Sequence, residues 1–284
     1  MKTTLLFLSV FLSASLFGQV PSYVPTDGLV GWWPFNGNAN DESVNTNNGT
    51  VNGAFLTSDR FENFESAYNF DGQDDYISLP NASVWNFGES DFTISSWFKT
   101  SSTQNGNIIR YDDCYGPESL WGLRIFGEEL NFLIDGVGNP GVALYSTSEM
   151  DVPMFDNQWH CAMAIRRGSQ MEVYFDGVLE ANETVPSVNI ETSDFSPSIG
   201  KCGTGNFEYF NGDLDDIGLW DRALTIEEII NLYDSNLNLT ELTTSKNLVK
   251  ILDMMGRETS FKPNTPLIYV YDDGSIEKVF SVEY

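Results

Sequence analysis

Met171-Glu172-Val173-Tyr174-Phe175-Asp176-Gly177 sends Met171, Val173 and Phe175 to one side and Glu172, Tyr174 and Asp176 to the other. A period of two marks a strand with one face in a core, because successive side chains leave a pleated backbone in opposite directions. The same alternation sets Phe92, Ile94 and Phe98 against Thr93, Ser95 and Lys99. Further strand-like runs cover 29–35, 76–79, 107–111, 120–126, 131–134, 142–145, 159–166 and 212–220, each bounded by Gly, Asn, Asp or Pro. Short strands at this spacing predict an antiparallel β-sandwich. Only 225–233 reads as a helix. Thr225 and Glu228 form a capping-box pattern, and Ile226, Ile229, Ile230 and Tyr233 share one face.

Of the 284 residues, 41% are hydrophobic and 14% aromatic, enough for a sizeable core. Acidic residues number 41 against 14 basic, a net charge of −27. Nucleic acid is excluded as a partner by that balance, and an anionic membrane surface is disfavoured. One histidine and three cysteines rule out a His-rich or four-cysteine zinc site. The charge is uneven: 19–245 holds eight basic and 35 acidic groups, whereas 246–284 holds five and six. The break predicts two units with different roles.

Met1-Lys2 precedes an apolar run over 5–17 that is too short to span a bilayer and ends at the small residue Gly18. This predicts a secretory signal peptide over 1–18, cleaved after Gly18, and a mature chain with no membrane span, secreted or held at the cell surface. Export permits disulfides. Cys114 and Cys202 lie in loop-like sequence and are the expected pair, while Cys161, in the run Trp159-His160-Cys161-Ala162, is expected as a buried free thiol. The body extends over 19–234, a polar linker over 235–245 and a small β unit over 246–284, with strands at 248–252, 267–271 and 276–282 around an Asp272-Asp273-Gly274 turn.

Four motifs, in order, carry a resemblance. Gly28-Leu29-Val30-Gly31-Trp32-Trp33-Pro34-Phe35 is followed by Asn36-Gly37-Asn38-Ala39-Asn40-Asp41. Ala67-Tyr68-Asn69-Phe70-Asp71-Gly72-Gln73-Asp74-Asp75-Tyr76-Ile77 comes second, and Trp159-His160 with Val173-Tyr174-Phe175-Asp176-Gly177 third. Phe210-Asn211-Gly212-Asp213-Leu214-Asp215-Asp216-Ile217-Gly218-Leu219-Trp220 closes the series. Over 28–233 the chain resembles a laminin-G-like, concanavalin A-like jelly roll. The tail, through Leu248-Val249-Lys250-Ile251-Leu252-Asp253-Met254-Met255-Gly256-Arg257 and Pro266-Leu267-Ile268-Tyr269-Val270-Tyr271-Asp272-Asp273-Gly274, resembles a type A C-terminal sorting domain of the type IX secretion system. That second resemblance implies the secretion machinery as a partner and removal of the tail at the outer membrane.

Jelly rolls of this kind include glucanases with a Glu-x-Asp-x-x-Glu strand. Here Glu89-Ser90-Asp91 and Glu149-Met150-Asp151 are followed at the third position by Ile94 and Met154, so the paired carboxylate of a retaining glycosidase is missing. His160, beside Trp159 in a strand, reads as a hydrogen-bonded structural residue, and the glycines at 200, 203 and 205 as a turn with no helix behind it. The resemblance also implies Ca²⁺ between the first loop and the closing strand. Asp41 and Asp215 would ligate it, with Asn36, Asn38 and Asp216 as lesser ligands. Strand alternation would send Asp215 and Asp216 to opposite faces. Tyr111, Tyr115, Trp121, Phe207 and Tyr209 flank the Cys114 and Cys202 loops and are candidates for stacking on a sugar. The expectation is a secreted, calcium-stabilised, non-catalytic module for a glycan or glycoprotein ligand. A glycan-cleaving hydrolase with another carboxylate pair and an adhesin with protein partners are the alternatives.

Overall fold

The computed structural model describes residues 20–112, 120–136, 141–146, 152–190, 195–203 and 205–234 of the body. In the tail it describes 248–253, 257–260, 262, 265, 267–271 and 276–279. The chain divides into two compact units, Met1–Asp234 and Ser235–Tyr284. The expected signal peptide, the linker and the tail's Asp272-Asp273-Gly274 turn lie outside the described residues.

In chain order the first strands are β1 (Leu29–Trp33), β2 (Thr50–Asn52), β3 (Phe55–Thr57), β4 (Ala67–Asp71), β5 (Tyr76–Ser78) and β6 (Phe92–Lys99). Then come β7 (Gly106–Tyr111), β8 (Leu120–Phe126), β9 (Glu129–Asp135), β10 (Val142–Tyr145) and β11 (Trp159–Arg167). The body ends with β12 (Gln170–Phe175), β13 (Val178–Thr184), β14 (Ser198–Ile199), β15 (Asn211–Trp220) and helix α1 (Ile226–Tyr233). One antiparallel sheet runs β13-β12-β11-β6-β15-β4-β3, with β1 paired to β15, and a second runs β10-β9-β8-β7-β14-β5-β2. This is an all-β sandwich. The tail forms its own sheet from β16 (Leu248–Leu252), β17 (Leu267–Tyr271) and β18 (Ile276–Val279).

Alternation builds the core. Trp33, Phe92, Ile94, Phe98, Val173 and Phe175 from one sheet meet Ile109, Trp121, Leu123, Phe132 and Ile134 from the other. The outer face of the first sheet is covered as well. Trp32, Trp97, Met163, Ile165, Tyr174 and Trp220 form a second apolar cluster with Val24, Ile229 and Leu232. Adjacent Trp32 and Trp33 therefore serve opposite faces of one strand, as the pleat requires. The outer layer also explains why nearly every β6 side chain is buried, although its sequence alternates.

Helix α1 carries the expected capping box: Glu228 N–H donates to Thr225 Oγ1 at 3.2 Å and Thr225 N–H to Glu228 Oε2 at 2.8 Å. Its buried face differs from expectation. Ile229 and Leu232 are inside, while Ile226, Ile230 and Tyr233 are exposed. The short helix presents a narrow stripe to the sheet, and Tyr233 still stacks on Trp97 with centroids 5.8 Å apart.

His160 is a strut. Its Nδ1 lies 2.8 Å from Asp176 Oδ2 and its Nε2 3.1 Å from Asp156 Oδ1. Burial pulls the imidazole pKa down, but the bonds to Asp176 and Asp156 outweigh it and raise the pKa above the usual value. Cys161 is a free, buried thiol, which burial pushes up in pKa. Cys114, half of the expected bridge, lies outside the described residues.

Candidate functional site

In β7 and β8 the alternation that sends Ile109, Tyr111, Trp121, Leu123 and Ile125 inward sends Arg110, Arg124 and Phe126 to the outer face of the second sheet. Arg110 sits opposite Gly122, where a Cβ would come within 3.0 Å of the arginine stem, and Arg124 sits opposite Asn131. The segment before β15 folds over these residues and delivers Glu208, a non-glycine residue held at φ 52°. Asn107 fixes that backbone, donating from its N–H to Glu208 O at 3.0 Å and from Nδ2 to the same oxygen at 3.1 Å.

Glu208 Oε2 gathers donors from both arginines, Arg124 Nη1 at 2.9 Å and Arg110 Nη1 at 3.3 Å, and from Asn107 Nδ2 at 3.2 Å. Arg110 Nη2 pairs with Asp112 Oδ2 at 2.5 Å, and Arg124 Nε donates to Asn131 Oδ1 at 2.8 Å. Burial lowers the Arg124 pKa; Glu208 opposes this and Arg110 adds to it. Two guanidinium groups face two carboxylates, so the cluster is charge-balanced. Phe126 lies 4.1 Å beneath the Arg124 guanidinium, and Tyr145 and Phe207 are exposed nearby in the structure or on the covering segment. Asn107 Oδ1 and Arg110 Nε have no partner among the described residues. Fixed donors and acceptors beside aromatic faces suit a neutral, hydroxyl-rich ligand. Both carboxylates are paired with guanidinium groups.

This face includes the loop expected to bind sugar, but with different residues. Phe207 and Tyr209 lie on the covering segment, whereas Tyr115 is outside the described residues. Tyr111 and Trp121, expected at the sugar site, are instead core residues, 1% and 0% exposed, and stack on each other at 5.8 Å. The strand period places them with Ile109 and Leu123, which settles the matter from sequence. Glu208, Arg110 and Arg124 leave no signal in the sequence, because no local pattern joins residues 84 to 98 positions apart.

The expected calcium ligands are engaged otherwise. Asp41 is 4% exposed. Its Oδ1 accepts from Trp32 N–H at 2.9 Å and Ser43 N–H at 2.8 Å, and its Oδ2 from Ser43 Oγ at 2.9 Å and Asn47 N–H at 2.7 Å. Exposed Asn38 bonds within its own loop, donating to Asn36 O and accepting from Asn40 N–H. Asp215 and Asp216 hold Arg60, whose Nη1 lies 3.2 Å from Asp215 Oδ2 and 2.7 Å from Asp216 Oδ2. Opposite faces were expected for the two. A register shift between Asp215 and Gly218, with Asp216 at φ 45°, breaks the alternation and brings both carboxylates to one cation. Burial first, then Asp216, pushes the Asp215 pKa well up, and Arg60 opposes this. Arg60 itself is stacked between Phe61 and Trp97 at 4.4 and 4.5 Å. The described carboxylates that do converge closely enough to hold a metal are Asp71, Asp74 and Asp75, with ligand oxygens within 4.8 Å of one another.

The fold recurs in solved structures. The binding domain of Paraclostridial Mosquitocidal Protein 1 superposes with a TM-score of 0.62 at 18% identity, over 85% of this chain and 57% of that one. The receptor binding domain of botulinum neurotoxin D gives 0.57 at 15% identity, over 91% and 65%. The binding domain of botulinum neurotoxin DC in complex with SialylT gives 0.56 at 13%, over 89% and 73%. The chain thus spans about 57–65% of the first two. Residues 71–230, more than half of the sequence, match a laminin-G-type family. On that match the chain belongs to the Concanavalin A-like lectin/glucanases superfamily.

Proposed function

We propose that the sandwich is a secreted, non-catalytic module that binds a glycan or glycoprotein on the outer face of its second sheet. The charge-balanced Arg110–Arg124–Glu208 cluster, flanked by Phe126, Tyr145 and Phe207, carries this reading. A glycan array tests it. The wild-type chain should bind a defined set of neutral glycans, and Arg124→Ala should weaken that binding about tenfold or more, since a hydrogen bond to a charged group is worth about 1.5–3 kcal/mol. A flat array with strong protein adhesion would transfer the reading to a protein partner. Polysaccharide turnover abolished by a single Asp or Glu substitution would replace it with a hydrolase.

The tail fits a removable export address of the type IX kind. It is a compact unit of its own with nearly balanced charge, following a strongly acidic body in the sequence. Protein recovered from its native host should end before about residue 246. An intact mass that retains Tyr284 would remove the sorting assignment.

A further inference from the structure

A second concavity lies at the end of the β8–β9 hairpin. It has a volume of about 350 Å³ and is lined by Gly127, Glu128, Glu129, Val152, Pro153, Met154, Phe155 and Asp156. Met154 is 3% exposed and belongs to the sandwich core, and Phe155 packs against that core, so the floor is apolar. Glu128 is exposed, and Glu128, Glu129 and Asp156 supply the charge. Neither Lys nor Arg is among the described lining residues. Asp156 is partly engaged by His160, which leaves Glu128 and Glu129 as the freer anions.

We infer that this cavity is a subsite for a hexosamine with a free ammonium group. The inference rests on the glycan-binding reading for its ligand class but uses a different set of residues. An apolar floor beneath an acidic rim matches a ring that lays its C–H face down and directs a cation and hydroxyl groups upward. A lysine side chain entering from solvent would put its ammonium on the apolar floor and its stem at the carboxylates, the reverse match. The low polarity of the floor strengthens the attraction between carboxylate and ammonium relative to open water. Phe126, below Arg124, pairs with Glu129 across the hairpin, so an extended glycan can cross from the arginine cluster to this cavity along one surface.

The hairpin supplies a clean variant. Gly127 and Glu128 both have positive φ, 64° and 67°, and glycine suits the second position better than glutamate. Glu128→Gly therefore removes the charge without harming the fold, and its melting temperature should equal or exceed wild type. The whole chain would be titrated at pH 6 with glucosamine, glucose, N-acetylglucosamine and Nα-acetyl-lysine amide, following the amide shifts of Gly127, Glu129 and Phe155. Glucosamine should perturb these amides and bind about tenfold more tightly than glucose or N-acetylglucosamine. The preference should shrink as salt is raised and be lost in Glu128→Gly. Equal binding of glucose, or unchanged glucosamine binding in Glu128→Gly, would overturn the inference. Shifts with the lysine amide but not with glucosamine would overturn it in favour of a protein's lysine. Arg124→Ala should leave the glucosamine shifts in place, so failure of the arginine cluster and failure of this cavity are separately visible.

Discussion

Arg60→Met should destabilise the folded chain by about 3–5 kcal/mol, the usual cost of stripping one partner from a buried ion pair. For a domain of this size that lowers the melting temperature by roughly 10 °C. The Arg60 side chain is 6% exposed and is the cation that both Asp215 and Asp216 contact, with Tyr23 also donating to Asp216 at 3.2 Å. Burial and mutual repulsion already hold the Asp215 pKa above its ordinary value, and without Arg60 two neutral donors remain to oppose them, the Asp216 N–H on Asp215 and the Tyr23 hydroxyl on Asp216. The pH dependence follows in sign. A carboxyl whose folded pKa lies above its unfolded pKa binds more protons in the folded state, so stability falls as pH rises through the folded pKa. The deficit of Arg60→Met should therefore be smaller at pH 5 than at pH 8. Urea melts at both pH values test this, and a loss under about 1 kcal/mol at pH 8 would show the diacid to be solvated.

Asp41→Ala should be nearly as severe, about 3–5 kcal/mol, because it leaves the Trp32, Ser43 and Asn47 N–H groups without their acceptor in a buried loop. The loss should be the same in millimolar calcium and in chelator, since the carboxylate is fully occupied by the chain. Asp41→Asn, which keeps one acceptor oxygen, should fall between wild type and alanine. Calorimetric melts in both buffers decide the point. If Asp41→Ala matches wild type in chelator and falls behind only in calcium, Asp41 is a metal ligand after all.

These two residues show what the sequence makes legible. Strand after strand follows from local alternation, because the pleat imposes its period on any segment with one face in a core. The turn chemistry around Asp41 is local too, but it is ambiguous: a carboxylate among asparagines suits a cation and a set of N–H donors equally well. Arg60 is different in kind. Its partner Asp215 is 155 positions away, and the register shift that turns Asp216 toward it is a property of the assembled sheet. Glu208 is hidden for the same reason. Side chains whose meaning depends on sequence-distant neighbours carry no local signal, and here those residues make up the arginine clusters. Tyr111 and Trp121 are the opposite case, since their alternation was available and places them inside.

The pairing of β15 sets a condition on the order of assembly. This strand, made last among those of the sandwich, sits between β6 and β4 and also carries β1, joining Leu29 to Trp220. A chain that stops short of residue 211 has no centre for its larger sheet, and β6, β4 and β1 present open edges. Closure depends on contacts of very long sequence separation, the topology that folds slowly. Until β15 has been made the body cannot lock, and the open edges of β6, β4 and β1 stay available to strands of other chains.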